Sequence, residues 1–191
     1  MLTFYCRIKS CYGTPSIDIS VVPKITSIEN CPYQWIKFFK HLPCLKSFST
    51  EDPIPEDFLE PGDFPNSLTR LDLKNFDSKL KPNVIPSTIK HLSLGYFDWE
   101  LTSESIPKDA QFEHLCVCDT TSKILPDQLP PNIKSLELRK YNQLLEPGSI
   151  PFGIETLKLP SMNVEHIIKD VIPSSIKLLN CFKIQRWTII F

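Results

Sequence analysis

The residues best suited to chemistry are a histidine and two cysteines at alternate positions, His114, Cys116 and Cys118. Alternate side chains of a β-strand point to the same face, so a strand here would present all three together. If His91 lies on the neighbouring strand, about 4.8 Å away, the group offers two imidazoles and two thiols. These are ligand types for tetrahedral zinc, and a Cys–His pair is also the centre of a thiol nucleophile.

The sequence argues against both a zinc site and a thiol enzyme. Alternate positions of a strand lie about 6–7 Å apart, which strains a single tetrahedron. A thiol enzyme also needs an oriented base, an oxyanion hole and a pocket, and the sequence shows neither a glycine-rich phosphate loop nor a nucleophile elbow. We therefore predict a solvated His/Cys patch with no metal, no cofactor and no enzymatic activity. The alternative is a zinc-binding or hydrolytic protein that uses His91, His114 and Cys116.

A proline repeat marks the elements that would position these residues. An aliphatic or aromatic residue followed by proline recurs every 21–23 residues. The prolines are Pro43, Pro65, Pro86, Pro107, Pro130, Pro151 and Pro173. Apolar residues follow at offsets of three, six and eight, as in Ile89, Leu92 and Leu94. An L-x-x-L-x-L pattern at this period is typical of a leucine-rich solenoid.

Each repeat predicts one strand and one coil. The two leucines of L-x-L point to one face of the strand, and the residue between them points to the other. A single strand cannot form a core, so successive coils must stack and pair their strands in parallel. We predict a right-handed leucine-rich-repeat solenoid of about seven to eight coils. Its sheet is curved and parallel, and its convex side is mostly extended or 3₁₀.

The repeat resembles the FNIP repeats, a branch of the leucine-rich repeats. Residues 85–98 read IPSTIKHLSLGYFD, close to the family unit I-P-x-S-I-x-x-L-x-L-G followed by a Phe-Asn pair. The resemblance covers residues 64–181 well and residues 23–63 weakly. It implies a noncatalytic protein–protein interaction module. Because some family members carry an F-box ahead of the repeats, it also implies substrate recognition in a ubiquitin-ligase assembly, although no F-box is recognisable in this sequence.

Three segments depart from this repeat. Residues 1–22 are interpreted as an N-terminal cap or irregular first coil, and residues 182–191 as a C-terminal cap over the open sheet edge. Residues 23–63 hold two weak repeats, with a short amphipathic helix near 33–42 indicated by apolar residues at helical spacing. Residues 51–63 are acidic and proline-rich. We interpret them as the outer loop of one coil, with an acidic docking loop as the alternative.

The strand residues that point away from the core would line the concave face. They form a mixed polar row, which suits protein recognition through a few anchor residues. We predict binding by Arg70, Asp72, His91, Ser93, His114, Cys116, Ser135, Glu137, Thr156 and Lys158. A second candidate is the sheet edge at Tyr96 and Trp99, although a core position is the favoured interpretation of both.

Composition narrows the class of partner. The chain has 191 residues, and 21 Lys and Arg against 22 Asp and Glu give a formal net charge of −1. Nucleic acids and acidic membranes select for a basic excess, which this chain lacks. Seven irregularly spaced cysteines and the lack of an apolar leader favour reduced thiols and a cytoplasmic location. We expect a monomer with an unidentified protein partner, and neither nucleic-acid nor membrane binding.

Overall fold

The computed structural model describes residues 2–5, 24–96, 105–107, 109–160, 171–182 and 187–190. Their strands form a single ten-stranded sheet. The strands follow one another in chain order across the sheet. They are β1 (Leu2–Tyr5), β2 (Ile25–Glu29), β3 (Ser47–Thr50), β4 (Arg70–Leu73), β5 (His91–Tyr96), β6 (His114–Asp119), β7 (Ser135–Leu138), β8 (Thr156–Pro160), β9 (Leu178–Phe182) and β10 (Trp187–Ile190).

Every strand from β1 to β8 pairs in parallel with the next one along the chain. The middle strands are in register, since Leu92 pairs with Leu71 on one side and with Leu115 on the other. Parallel neighbours joined by one coil each make a solenoid. The predicted leucine-rich fold with a parallel sheet is thereby confirmed. Strand β10 differs, because it runs antiparallel along β9, with Trp187 opposite Cys181.

The core is a column of repeat residues on one face of the sheet. The leucines of each L-x-L pair are almost completely buried, as Leu92, Leu94, Leu136 and Leu138 show. Burying one such side chain contributes about 1.5–3 kcal/mol. No coil encloses its own leucines, so that contribution depends on the coils above and below.

The repeat proline opens a tight turn ahead of the strand at Pro65, Pro86, Pro107 and Pro173. The carbonyl of Pro65 accepts a hydrogen bond from the N–H of Leu68 at 2.9 Å, and Pro86 accepts one from Ile89 at 3.1 Å. These bonds span three residues, the spacing of a β-turn. The repeated proline therefore sets the point where the chain turns into the strand, and the first apolar residue of the repeat enters the core from that turn.

The predicted amphipathic segment near 33–42 is a 3₁₀ helix over Tyr33–His41. Ile36 and Phe39 are its buried residues. The Phe39 ring packs edge-on against Phe48 of β3, with ring centroids 4.7 Å apart, an arrangement favoured by the ring quadrupoles. The described residues form no α-helix, so their remaining outer segments are turns and extended chain.

Two irregular core positions are accommodated by hydrogen bonds. Thr50 occupies a leucine position and is buried, but its Oγ1 donates to the carbonyl of Cys31 at 3.0 Å and accepts from the N–H of Asp52 at 3.1 Å. Tyr141 is also buried, and its hydroxyl accepts from the N–H of Ile124 at 3.1 Å. Both polar groups are satisfied, which removes most of the cost of burying them.

Gly95 marks a close approach between two coils. A Cβ added at this position would overlap the main-chain carbonyl of Lys74 in the preceding coil. A glycine lets two backbones come this near.

The predicted end segments fall partly outside the described residues. Of residues 1–22, the structure describes only β1. Of residues 182–191, it describes Phe182 and β10. In the described parts of the chain, no helix is long and apolar enough to cross a membrane.

The solenoid register can be tested with Leu136→Asp. We expect it to destabilise the fold by at least about 4 kcal/mol, because it places a charge inside the leucine column. The measurement is thermal unfolding followed by circular dichroism. Leu144→Asp is the matched control, since Leu144 is 42% exposed and should tolerate the same change. A Leu136→Asp variant that unfolds as cooperatively and as late as the control would contradict the register.

Candidate functional site

The ten residues predicted for the concave face lie side by side on β4 to β8, in two adjacent columns of five. We call these two columns together the row. In the first column Arg70 pairs with His91, His91 with His114, His114 with Ser135 and Ser135 with Thr156. The second column pairs Asp72, Ser93, Cys116, Glu137 and Lys158 in the same order. In-register parallel pairing therefore gives every residue of the row a neighbour on each adjacent strand.

This row is less solvated than the sequence suggests. Of the ten residues, only Arg70 is exposed, and Cys116 and Glu137 are 1% and 6% exposed. Neighbouring strands lie so close that side chains at equal positions cover one another. The expectation of a solvated His/Cys patch is wrong for Cys116, and the centre of the row is a largely desolvated polar cluster.

Glu137 is the electrostatic centre of that cluster. Its two carboxylate oxygens accept from Arg139 Nε at 2.6 Å and from Lys158 Nζ at 3.0 Å. Burial acts to raise the pKa of Glu137, but these charge-assisted hydrogen bonds outweigh it and hold the pKa below its ordinary value. Arg139 was not among the predicted residues, because it follows the strand rather than occupying a row position. Its signal in the sequence is the E-x-R spacing, which puts both side chains on one face.

His114 belongs to this cluster. Its Nδ1 lies 3.1 Å from Ser135 Oγ, and its Nε2 lies 3.9 Å from Glu137 Oε2. Burial is the main cause that lowers the pKa of His114 below its ordinary value. The ring is therefore mostly neutral at neutral pH, with Ser135 holding one nitrogen and the other facing the carboxylate.

His91 points elsewhere, although it pairs with His114 in the sheet. Its Nε2 lies 3.3 Å from Glu113 Oε2, and Glu113 also binds Lys90 at 2.9 Å. Burial and the nearby Arg70 lower the pKa of His91. The expected group of two histidines and two cysteines is thus divided, because His91 faces the exposed Glu113 rather than the thiols.

The two thiols converge. Cys116 and Cys118 have their Sγ atoms 3.5 Å apart, much closer than the spacing of alternate positions along a strand. Their hydrogen bond, helped by Arg139 and Ser93, lowers the pKa of Cys118 to about 6. The same bond, with burial, raises the pKa of Cys116. One proton shared between two sulfurs explains the opposite directions, since removing the second proton would leave adjacent like charges.

Asp72 is the one carboxylate of the row with an unmet hydrogen-bond requirement. Its Oδ1 is buried, and none of the described residues donates to it. A buried acceptor without a donor costs about 1–3 kcal/mol. This Asp72 oxygen can therefore accept from a ligand or water only if the neighbouring side chains move aside.

The second predicted surface, the sheet edge, is described only at Tyr96. Its side chain is 49% exposed, so the favoured core position is wrong for this residue. Lys140 lies over the ring, with Nζ 5.6 Å from the centroid, within the range of a cation–π contact. Trp99 lies outside the described residues.

The acidic loop 51–63 forms ion pairs with lysines of the preceding and the next coil. Asp63 binds Lys37 at 2.7 Å, and Glu60 and Asp57 bind Lys81 at 2.6 and 3.3 Å. These pairs favour the outer-loop interpretation over that of an acidic docking loop, because much of the negative charge already has a partner.

The role of Glu137 can be tested with Glu137→Gln. We expect a loss of about 1–3 kcal/mol in unfolding free energy at pH 7, because a buried charge-assisted network loses its charge. The folded-state pKa is the lower one, so the wild type should lose this stability as pH falls below the ordinary carboxyl pKa. Chemical denaturation at pH 7 and pH 4 measures both effects.

Glu155→Gln is the matched control, because Glu155 makes two lysine contacts on an exposed surface. We expect no measurable change for it, since exposed ion pairs contribute little. Equal stability of the two variants at pH 7 would refute the proposed role of Glu137.

The chain is similar in fold to a solved structure titled "The crystal structure of CroV588 a novel circular LRR protein structure", with a TM-score of 0.59 and 18% sequence identity. The match covers 83% of this chain and 27% of that one. The chain thus spans about a quarter of the length of that protein. At this identity the likeness shows the fold alone.

Curated proteins give no significant match. The FNIP Repeat family model matches residues 57–97, 122–162 and 141–180, which together make up slightly more than half of the chain. These ranges contain the leucine pairs and turns described above, including β4, β5, β7 and β8. The chain therefore belongs to the FNIP-repeat family, within the leucine-rich-repeat fold.

Proposed function

We propose that this protein is a noncatalytic recognition module that binds a protein partner through its concave face as a monomer. The observation that carries the proposal is the in-register polar row, which joins five strands into one continuous surface. Repeat solenoids are typically interaction scaffolds, and their sheet surfaces are extended enough for a protein ligand.

The chemistry of the row favours a protein over a nucleic acid or phosphate ligand. Positive Arg70 and Lys158 alternate with negative Asp72 and Glu137, so the face lacks the single sign that phosphates require. None of the ten row residues is Phe, Tyr or Trp, the usual stacking platform for bases. A partner surface of mixed charge can complement both signs, and such complementarity provides specificity.

The arrangement also gives the face pre-organised anchors. Glu137, Arg139 and Lys158 hold one another in place before any partner arrives. Holding side chains in advance reduces the entropy lost on binding. We place the strongest contacts near Glu137 and Asp72, because Glu137 is almost fully buried and Oδ1 of Asp72 receives no hydrogen bond from the described residues.

The family supports a finer proposal. FNIP repeats accompany F-box motifs in some relatives, so we propose that the module recognises a substrate within a cytoplasmic ubiquitin-ligase assembly. This step rests on family analogy.

The experiment compares two double variants as baits in an affinity pull-down read by quantitative mass spectrometry. Arg70→Glu with Ser93→Arg changes the charge and bulk of the concave face. Lys79→Glu with Ser87→Arg makes the same chemical changes at exposed positions outside the strands. We expect a partner that is retained by wild type and by the control variant, and lost at least tenfold by the concave-face variant.

Circular dichroism must show that both baits are folded. The same set of proteins from all three baits would contradict recognition through the concave face. Ubiquitin-ligase subunits among the specifically lost proteins would support the finer proposal. A specific partner without such subunits would support recognition and contradict the ligase assignment.

A further inference from the structure

The converging thiols remove the geometric objection to a metal site. Zinc bound by two cysteines at about 2.3 Å with tetrahedral angles requires sulfurs about 3.8 Å apart. The Sγ atoms of Cys116 and Cys118 lie 3.5 Å apart. A few tenths of an ångström of side-chain adjustment would seat a cation between them. The estimate from strand spacing fails because it measures between backbone positions, whereas these side chains lean toward each other.

A third and a fourth ligand atom lie within reach of Cys116. Ligand atoms of His114, Cys116 and Glu137 all lie within 4.8 Å of one another. The Cys118 sulfur lies outside this group although it is 3.5 Å from that of Cys116, so its side chain must turn toward the group to share a cation with it. The His114 ring is oriented, because Nδ1 contacts Ser135 Oγ at 3.1 Å and Nε2 faces Glu137. A hydrogen-bonded second nitrogen is the usual support for a metal-binding histidine.

We propose that Cys116, Cys118 and His114 bind a soft d¹⁰ cation such as Zn²⁺ on the concave face, with Glu137 as the fourth ligand. Thiolate and imidazole are the ligands that such ions select. Arg139 and Lys158 already hold both Glu137 oxygens, but a carboxylate oxygen has a second lone pair and accepts both a hydrogen bond and a metal.

Local charge supports a divalent ion at this position. With both thiols ionised, the four ligands carry three negative charges, and Arg139 and Lys158 supply two positive ones. A divalent cation then leaves the cluster within one charge of neutrality. Burial strengthens the attraction, because Cys116 and Glu137 are almost inaccessible to water.

The site lies on the face opposite the leucine column, so folding does not depend on it. Structural zinc domains unfold without their metal. Here the leucine core is complete by itself, and we expect the metal-free chain to fold. This allows ligand variants to be compared as folded proteins.

The test uses the full chain, stripped of metal and kept reduced. Zn²⁺ affinity is measured by competition with a chromophoric chelator, and Co²⁺ is used as a spectroscopic probe. We expect one equivalent of Zn²⁺. Co²⁺ should give a thiolate-to-cobalt charge-transfer band and visible tetrahedral bands. Cys118→Ser and His114→Ala should each weaken Zn²⁺ binding at least tenfold.

Two matched controls separate the site from other ligands of the same type. His91→Ala removes the neighbouring histidine that faces Glu113, and Cys181→Ser removes a partly buried cysteine on β9. Both should leave Zn²⁺ affinity and the Co²⁺ spectrum unchanged.

Three results would overturn the proposal. One is Zn²⁺ binding that survives the Cys116→Ser, Cys118→Ser double variant, which would place the metal elsewhere. Another is equal loss in His91→Ala and His114→Ala. The third is a lack of binding by reduced wild type, even if the two thiols oxidise to a disulfide when the reductant is removed.

Discussion

The structure depends on one constraint: a coil of 21–23 residues cannot bury its own leucines. Burial requires the next coil, and the next coil fits only if its strand pairs in parallel and in register. Leu92 between Leu71 and Leu115 shows the result. Turn position, glycine placement and strand length all follow from keeping that register, because a shift by one residue would turn the leucines out of the core.

The same constraint shapes the opposite face. Pairing that aligns leucines on one side must align the intervening polar residues on the other. They meet at strand spacing, so they cover one another and lose water. Glu137 is buried as a consequence of its position in the sheet, and it is tolerated because Arg139 and Lys158 reach it. A rigid polar surface is thus a by-product of core packing, and the recognition surface proposed above is of this kind.

Sequence reasoning succeeded where position alone decides the outcome. The offsets of Leu92 and Leu94 from Pro86 were enough to predict strand, face and neighbours, because backbone pairing is periodic. The sequence did not predict the contacts that depend on the direction of a side chain. Pairing places His91 beside His114, yet one imidazole turns to Glu113 and the other to Glu137. The approach of the Cys116 and Cys118 sulfurs depends on rotamers, which a residue pattern does not contain. Tyr96 follows the last core leucine of its strand, where the pattern no longer distinguishes core from surface.

One further feature runs along the edge where each strand begins. The residues just before β5 to β9 alternate in sign: Lys90, Glu113, Lys134, Glu155 and Lys177. Ion pairs join Lys90 to Glu113 at 2.9 Å, and Glu155 to Lys134 and Lys177 at 3.7 and 3.1 Å. Each ion pair contributes little to stability, but the alternation of sign repeats every two coils. Loss or duplication of one coil would set like charges side by side, whereas a change of two coils would preserve the order. Along this stretch the unit that can be gained or lost without electrostatic conflict is a pair of coils.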